Sequence, residues 1–289
     1  MAELLEQYTS MIETALERAI PNGDSRFKRV LDAMRYSLLA GGKRIRPKLV
    51  LTFCELCGGD AEKAIPFACA IEMIHTYSLI HDDLPCMDDD DWRRGRPSCH
   101  KAYGEDVALL AGDALQSEAF RVLASADLPS DRVQAAVSTL ATLCGSIGMV
   151  GGQMIDIDAV RQPLSESELL QMYSLKTSCL LKASCCLGCI AAGRLDLCES
   201  ASAYGEALGL AFQIRDDVLD VIGEAEKLGK PIGSDEKNGK PTLVALIGVD
   251  RANELVQRYS EEAKKALVPF ESKAVDLLNF TDTLMKRDR

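Results

Sequence analysis

Apolar residues recur at helical intervals along nearly the whole chain, in runs of Ala, Leu, Glu, Gln and Met with few β-branched clusters. No segment alternates convincingly enough to be a strand, so the pattern predicts an all-α protein. Helices are expected over 2–20, 25–40, 46–57, 60–82, 104–125, 130–149, 165–193, 199–222 and 241–247, with one or two more through 250–286. "SESE" at Ser165–Glu168 is a capping-box signature for one of them. Breaks are expected at Gly41-Gly42, Gly58-Gly59, Gly151-Gly152 and the Gly/Lys/Pro-rich stretch 223–241. No linker is long enough to divide the chain. The expectation is one domain over 1–289, with 47% hydrophobic residues to fill its core.

The first twenty residues carry acids from position 3 and alternate polar with apolar positions, as an amphipathic helix does and a secretory signal does not. The most apolar later stretch, Cys179–Gly193, is short and contains Lys182, which argues against membrane insertion. A formal charge of −11 excludes nucleic acid as a default partner, because phosphate binding there needs a basic surface. An anionic substrate would need local basic groups or a divalent metal to invert the field. Eleven cysteines, an odd number scattered through helical patterns, read as reduced, mostly buried thiols in a cytoplasmic protein. Cys54/Cys57 and Cys186/Cys189 share the CxxC interval of zinc and redox sites. Both pairs sit in alanine- and leucine-rich helical patterns, where core packing is the expected role.

Against that background two acidic clusters stand out. "HDDLPCMDDDD", 81–91, places six aspartates in ten positions. Two unit charges 4 Å apart repel by roughly 1 kcal/mol in water and about 4 kcal/mol near a protein surface. The helix "ACAIEMIHTYSLIHDD" should stop near Leu84, before Pro85. His75 and Asp82 differ by about 20° on its wheel, and the loop should return Asp88 to the same helix end. In "FQIRDDVLD", 212–220, Gln213, Asp216, Asp217 and Asp220 fall within an arc of about 100° inside an otherwise apolar segment. Oxygen-only donors suit a hard cation such as magnesium that shares its shell with substrate phosphate. An EF-hand is excluded by spacing. A loop starting at Asp88 puts Arg93 where the glycine must be, and one starting at Asp156 puts Arg161 there.

Basic groups accompany these acids. Arg93, Arg94 and Arg96 follow the first cluster, and guanidinium groups suit bidentate phosphate recognition. "GGKRIRP", 41–47, combines paired glycines with Lys43, Arg44 and Arg46 ahead of a helix, without P-loop spacing. Lys176 and Thr177 in "SLKTS", and Lys227 and Lys230 in "KLGK", are unremarkable singly. Together, two acidic helix faces and several separate basic groups are what two diphosphates require, one held through bridging magnesium and one by cations alone.

These blocks, with "GEDVALLAGDAL" and "GGQMIDID", stand in an order that resembles the trans-type polyprenyl diphosphate synthases, bacterial-type farnesyl diphosphate synthases in particular, over roughly residues 25–247. The resemblance implies an isoprenoid-synthase-type bundle of mostly antiparallel helices around a central cavity, a homodimer, and a Mg2+-dependent condensation of isopentenyl diphosphate with dimethylallyl and geranyl diphosphate to farnesyl diphosphate and pyrophosphate. It implies that Asp82, Asp88 and Asp216 bind three magnesium ions carrying the allylic diphosphate, which Arg93, Lys176 and Lys230 also contact. It implies that Lys43, Arg46, His75 and Arg94 hold isopentenyl diphosphate without metal, and that Lys176, Thr177 and Gln213 flank the allylic carbon. Trp92 departs from the family's usual aliphatic residue.

Product length is the finer question. The family's chain-length floor lies one to two turns before the first aspartate, at Tyr77 and Ser78. An ideal wheel puts Ser78 within 40° of Asp82 and Tyr77 about 140° away, whereas the resemblance favours the bulkier Tyr77. Tyr77, with two extra residues between the aspartates, resembles enzymes that stop at fifteen carbons. Geranylgeranyl diphosphate is the alternative product. A catalytically silent partner subunit, a terpene cyclase and a purely structural acidic protein are the rival classes.

Overall fold

A computed structural model describes residues 2–21, 23, 26–222 and 242–285. The predicted stretch 223–241, with Lys227 and Lys230, lies outside them. Apart from one short ladder, every regular element described is helical, as the periodicity predicted. They are α1 (Ala2–Ala19), α2 (Lys28–Leu38), α3 (Ile45–Leu56), α4 (Ala61–Asp82), α5 (Cys99–Tyr103), α6 (Glu105–Ala124), α7 (Ser130–Cys144), α8 (Met149–Ala159), α9 (Glu166–Tyr173), α10 (Cys179–Ala192), α11 (Cys198–Ile222), α12 (Leu243–Ile247), α13 (Val249–Ala266) and α14 (Val275–Met285). They form two compact units, one of residues 1–139 and 187–194, the other of 140–186 and 195–289.

In the first unit α4 is buried on every side. Phe67, Ile71, Met73 and Ile74 are fully enclosed, which requires the near-continuous apolar run seen in its sequence. Asp60 caps its start by accepting from the Glu62 amide, and the chain leaves helical geometry just before Pro85, as the proline demands. The strand-free expectation needs one correction. Trp92–Arg93 and Arg96–Pro97 pair as a two-residue antiparallel ladder. Arg94 and Gly95, both at positive φ, make the two-residue turn whose twist matches such a ladder. Trp92 stands exposed on it.

In the second unit α11 is the axis. Leu210, Ala211, Ile214 and Val218 pack with Leu169, Met172 and Tyr173 of α9, Leu243 and Val244 of α12, and Leu255 and Tyr259 of α13. Ser165 and Glu168 form the reciprocal capping box predicted for α9. The break predicted at Gly151-Gly152 is wrong. Both glycines lie inside α8, and the chain turns earlier, between Cys144 and Met149. Gly152 serves close packing instead, since a Cβ there would lie 2.7 Å from the Lys176 Cα.

The membrane argument also needs revision. Ser130–Ala159 and Glu166–Ala192 are long and apolar enough to cross a membrane by length and composition alone, so the shortness of Cys179–Gly193 excludes nothing. The second run is 72% buried within the protein, as a core helix is. The first exposes Ile147, Val150, Met154 and Ile157.

Candidate active site

The first unit gathers most of the predicted basic residues around one imidazole. The "GGKRIRP" loop opens with Gly41 and Gly42 at positive φ, and Arg44 also takes left-handed geometry. Arg44 is tied into the protein itself. Its buried side chain reaches Glu72 at 2.5 Å, Glu13 at 2.7 Å and the Leu38 carbonyl at 2.8 Å. Burial opposes its charge, but the hydrogen bonds and charges of Glu13 and Glu72 outweigh it and raise its pKa. The lock fixes the loop and leaves its neighbours for other work: Lys43 is exposed, and Arg46 heads into α3.

Arg46 Nη1 lies 3.4 Å from His75 Nε2 on α4, and its buried Nε has no hydrogen-bond partner. Burial and the nearby Arg94 lower its pKa, against the pull of Glu72. Arg94 donates to the Gly41 carbonyl and lies 3.9 Å from Glu72. A Cβ on Gly42 would lie 3.0 Å from the Arg94 guanidinium carbon, a tight contact, and the positive φ of Gly42 also favours glycine there. Burial, followed by Arg46, Arg94, Arg44 and Arg93, holds the His75 pKa well below the usual imidazole value. Arg46, Arg94 and neutral His75 are thus brought together, with Lys43 on the same loop as Arg46. The concentration of positive charge fits a diphosphate bound without metal.

The end of α4 carries the first aspartates. The Asp88 amide donates to the Asp82 carbonyl at 2.8 Å, so the loop does return Asp88 to the helix end. Both are half-buried. Asp83 is buried and clamped by Arg93, which also bonds Asp90 at 2.9 Å. Burial raises the Asp83 pKa while Arg93 opposes the shift. Arg93 therefore braces this loop as well as standing beside the predicted metal ligands. The hard oxygens of Asp82 and Asp88 on one turn are a donor set that fits magnesium. The sequence reading missed a second group: Asp89, Asp91 and His100 present potential ligand atoms within 4.8 Å of one another. Its mixed oxygen and nitrogen donors differ from the oxygen-only set expected.

Tyr77 and Ser78 lie on α4 one to two turns before Asp82. Tyr77 is buried, edge-on to His81 with ring centroids 5.7 Å apart. Ser78 is half-buried and bonds back to the His75 carbonyl at 2.9 Å.

The second unit assembles the rest. Lys176 and Thr177 occupy a π-helical turn, Ser174–Ser178, between α9 and α10, and such turns recur at functional sites. Lys176 Nζ pairs at 2.5 Å with the buried Asp156 of α8. Thr177 Oγ1 donates to Gln213 Oε1 at 3.0 Å, and Gln213 Nε2 donates to Asp217 Oδ1 at 3.2 Å. Asp217 also accepts from Tyr173 Oη at 2.5 Å and from the Leu243 amide at 3.3 Å, so it secures α12. Asp216, beside it, is half-buried. Sequence reasoning missed Glu72, Asp156 and Tyr173. Glu72 could have been found as a single acid inside an apolar helical run; Asp156, with Asp158 beside it, and Tyr173 gave no such signal.

Known proteins are similar to this chain in sequence and fold. Residues 27–270 match the polyprenyl synthetase family. The chain is 44% identical to a dimethylallyltranstransferase of Fischerella ambigua, over 99% of this chain and 84% of that one. It is 43% identical to a geranylgeranyl diphosphate synthase of Cyanophora paradoxa, over 98% and 95%. The crystal structure of an FPP/GFPP synthase from Zymomonas mobilis superposes with a TM-score of 0.88 at 35% identity, covering 98% of both chains. A geranyltransferase from Helicobacter pylori, solved with magnesium and isoprenyl diphosphate, superposes at 0.85 with 32% identity, over 98% and 95%. The chain belongs to the polyprenyl synthetase family of prenyltransferases and has the all-α isoprenoid synthase fold of these neighbours.

Proposed function

We propose that this protein makes farnesyl diphosphate by adding isopentenyl diphosphate head-to-tail to dimethylallyl and then geranyl diphosphate. The observation that carries the reading is the cationic cluster of Arg46 and Arg94 around neutral His75, a receptor for a diphosphate that brings no metal of its own. Lys43, Arg46, His75 and Arg94 hold isopentenyl diphosphate there. Asp82, Asp88 and Asp216 hold the magnesium of the allylic diphosphate, with Arg93, Lys176 and Lys230 on the same group. Bound magnesium supplies charge neutralisation to the leaving diphosphate.

The allylic C–O bond breaks and its electron pair leaves with the diphosphate. The double-bond electrons of isopentenyl diphosphate form the new C–C bond to C1, and the adjacent carbon loses a proton to the departed diphosphate. Thr177 and Gln213, linked at 3.0 Å, present oxygen dipoles to the cationic carbon, and Lys176 stays with the diphosphate. Tyr77 forms the floor that stops growth at fifteen carbons. Geranylgeranyl diphosphate is the second reading, favoured by relatives such as the Cyanophora enzyme that carry that name. The exposed stripe of Ile147, Val150, Met154 and Ile157 is proposed as the face on which two copies form a homodimer.

The test is to incubate purified protein with magnesium, isopentenyl diphosphate and dimethylallyl diphosphate, and to measure alcohol length after dephosphorylation. A dominant fifteen-carbon alcohol supports the reading, and a twenty-carbon alcohol replaces it with the second. No product from any allylic primer overturns both.

A further inference from the structure

The two CxxC intervals have no part in prenyl transfer, and the fold pairs them unexpectedly. Cys57 Sγ faces Cys189 Sγ at 3.6 Å, across 132 sequence positions, while Cys54 contacts the Asp60 carbonyl and Cys186 the Cys198 carbonyl. Each motif thus gives one cysteine to a contact between motifs. Both members belong to the first unit. We propose that Cys57 and Cys189 are a modification site, a dithiol that low-molecular-weight disulfides convert reversibly to an intramolecular disulfide.

The surroundings suit the exchange. Cys57, half-buried at the C-terminal cap of α3 and immediately before Gly58 at positive φ, is the more accessible of the two and is assigned the first attack. Cys189 is fully buried, and a small disulfide cannot reach it directly. This assigns the order of events. The Cys57 thiolate attacks the small disulfide, forming a mixed disulfide and releasing one small thiol. The Cys189 thiolate then displaces the second small thiol from Cys57. Two protein thiols lose two electrons and two protons, and one small disulfide is reduced to two thiols, so the step balances. The sulfurs close by about 1.5 Å to reach the ~2.05 Å bond length.

Burial separates this pairing from one within a motif: it pushes the Cys54 thiol up to about 12, against the pull of Arg132, which disfavours Cys54 as an attacking thiolate. The bridge would tie the C-terminal end of α3, the helix whose first turn carries Arg46, to the last turns of α10.

The full-length protein, folded and reduced, is incubated with oxidised glutathione over a range of glutathione ratios, alkylated, digested and mapped by mass spectrometry without reduction. The expected result is a peptide pair joined through Cys57 and Cys189. It should become the major form under oxidising ratios, return to free thiols with dithiothreitol, and be absent from Cys57→Ser. In Cys189→Ala the glutathione adduct on Cys57 should accumulate. A Cys54–Cys57 bridge, a persistent adduct on Cys57 of the unmutated protein, or free thiols at every ratio overturns the proposal.

Discussion

Arg44→Met tests whether the cationic cluster rests on one buried ion lock. Arg44 has a side chain with 0% exposure and Glu72 one with 2%, so the pair sits where removing one partner strands a charge in low dielectric. Breaking such a pair costs about 3–5 kcal/mol. Arg94, 3.9 Å from Glu72, and Arg46, which Glu72 also attracts, only partly compensate, which places the expectation near the lower end, about 3 kcal/mol. The left-handed backbone at position 44 is the same in both proteins and cancels. The assay is urea unfolding followed by far-ultraviolet circular dichroism, with Glu72→Leu and the double variant completing a cycle. The double variant should recover more than half of the loss, because the stranded carboxylate is gone. Since Arg44 holds the loop, the KM for isopentenyl diphosphate should rise more than that for the allylic substrate. A loss below about 1 kcal/mol, typical of a surface pair, or a double variant no more stable than Arg44→Met, would refute the lock.

Three further outcomes are expected. His75 is neutral in the fold while its unfolded form titrates near 6.5, so the unfolded chain takes up the proton first. Stability should be complete above about pH 6.5 and fall as pH drops below it, by at most about 1.4 kcal/mol per unit; a His75→Gln variant with an equally steep acid limb would exclude His75 as the cause. Tyr77→Ala should lengthen the product beyond fifteen carbons and cost about 3–5 kcal/mol of stability as a buried aromatic truncation, and unchanged product length on chromatography would remove Tyr77 as the floor. Lys176→Met removes the cation paired with buried Asp156; because Lys176 is 27% exposed, the expected cost in thermal or urea unfolding is about 2 kcal/mol, between the surface and buried limits. Asp156→Asn combined with Lys176→Met should restore most of it.

The helices were legible because their apolar periodicity is a local signal repeated over many turns, and the end of α4 was legible because Pro85 acts on the residue before it. Gly151-Gly152 misled because a glycine needed for close approach to Lys176 and one needed for a turn look alike in sequence. The ladder at Trp92–Pro97 escaped because two residues per strand leave no alternation to read. Cys54, Cys186 and Cys189 are helical and buried as read, whereas Cys57 is the half-buried cap of α3, and its contact with Cys189 spans 132 positions that no local pattern encodes.

The same limit explains why the acids divide as they do. Sequence supplied more carboxylates than a metal site needs and did not say which ones the fold would consume. Asp83 is bound to Arg93, Asp156 to Lys176, Glu72 to Arg44, and Asp217 to Tyr173 and the Leu243 amide. All four are buried. Asp82, Asp88 and Asp216, the proposed magnesium ligands, are half-buried. Burial with a fixed partner makes a carboxylate part of the scaffold, because the desolvation cost is offset by an interaction that cannot be given up cheaply. Partial exposure keeps it available for a ligand that comes and goes with each turnover. Neutralising one of the scaffold acids should therefore change unfolding and binding together, whereas Asp82→Asn or Asp216→Asn should weaken magnesium-dependent turnover more strongly than it lowers the unfolding midpoint.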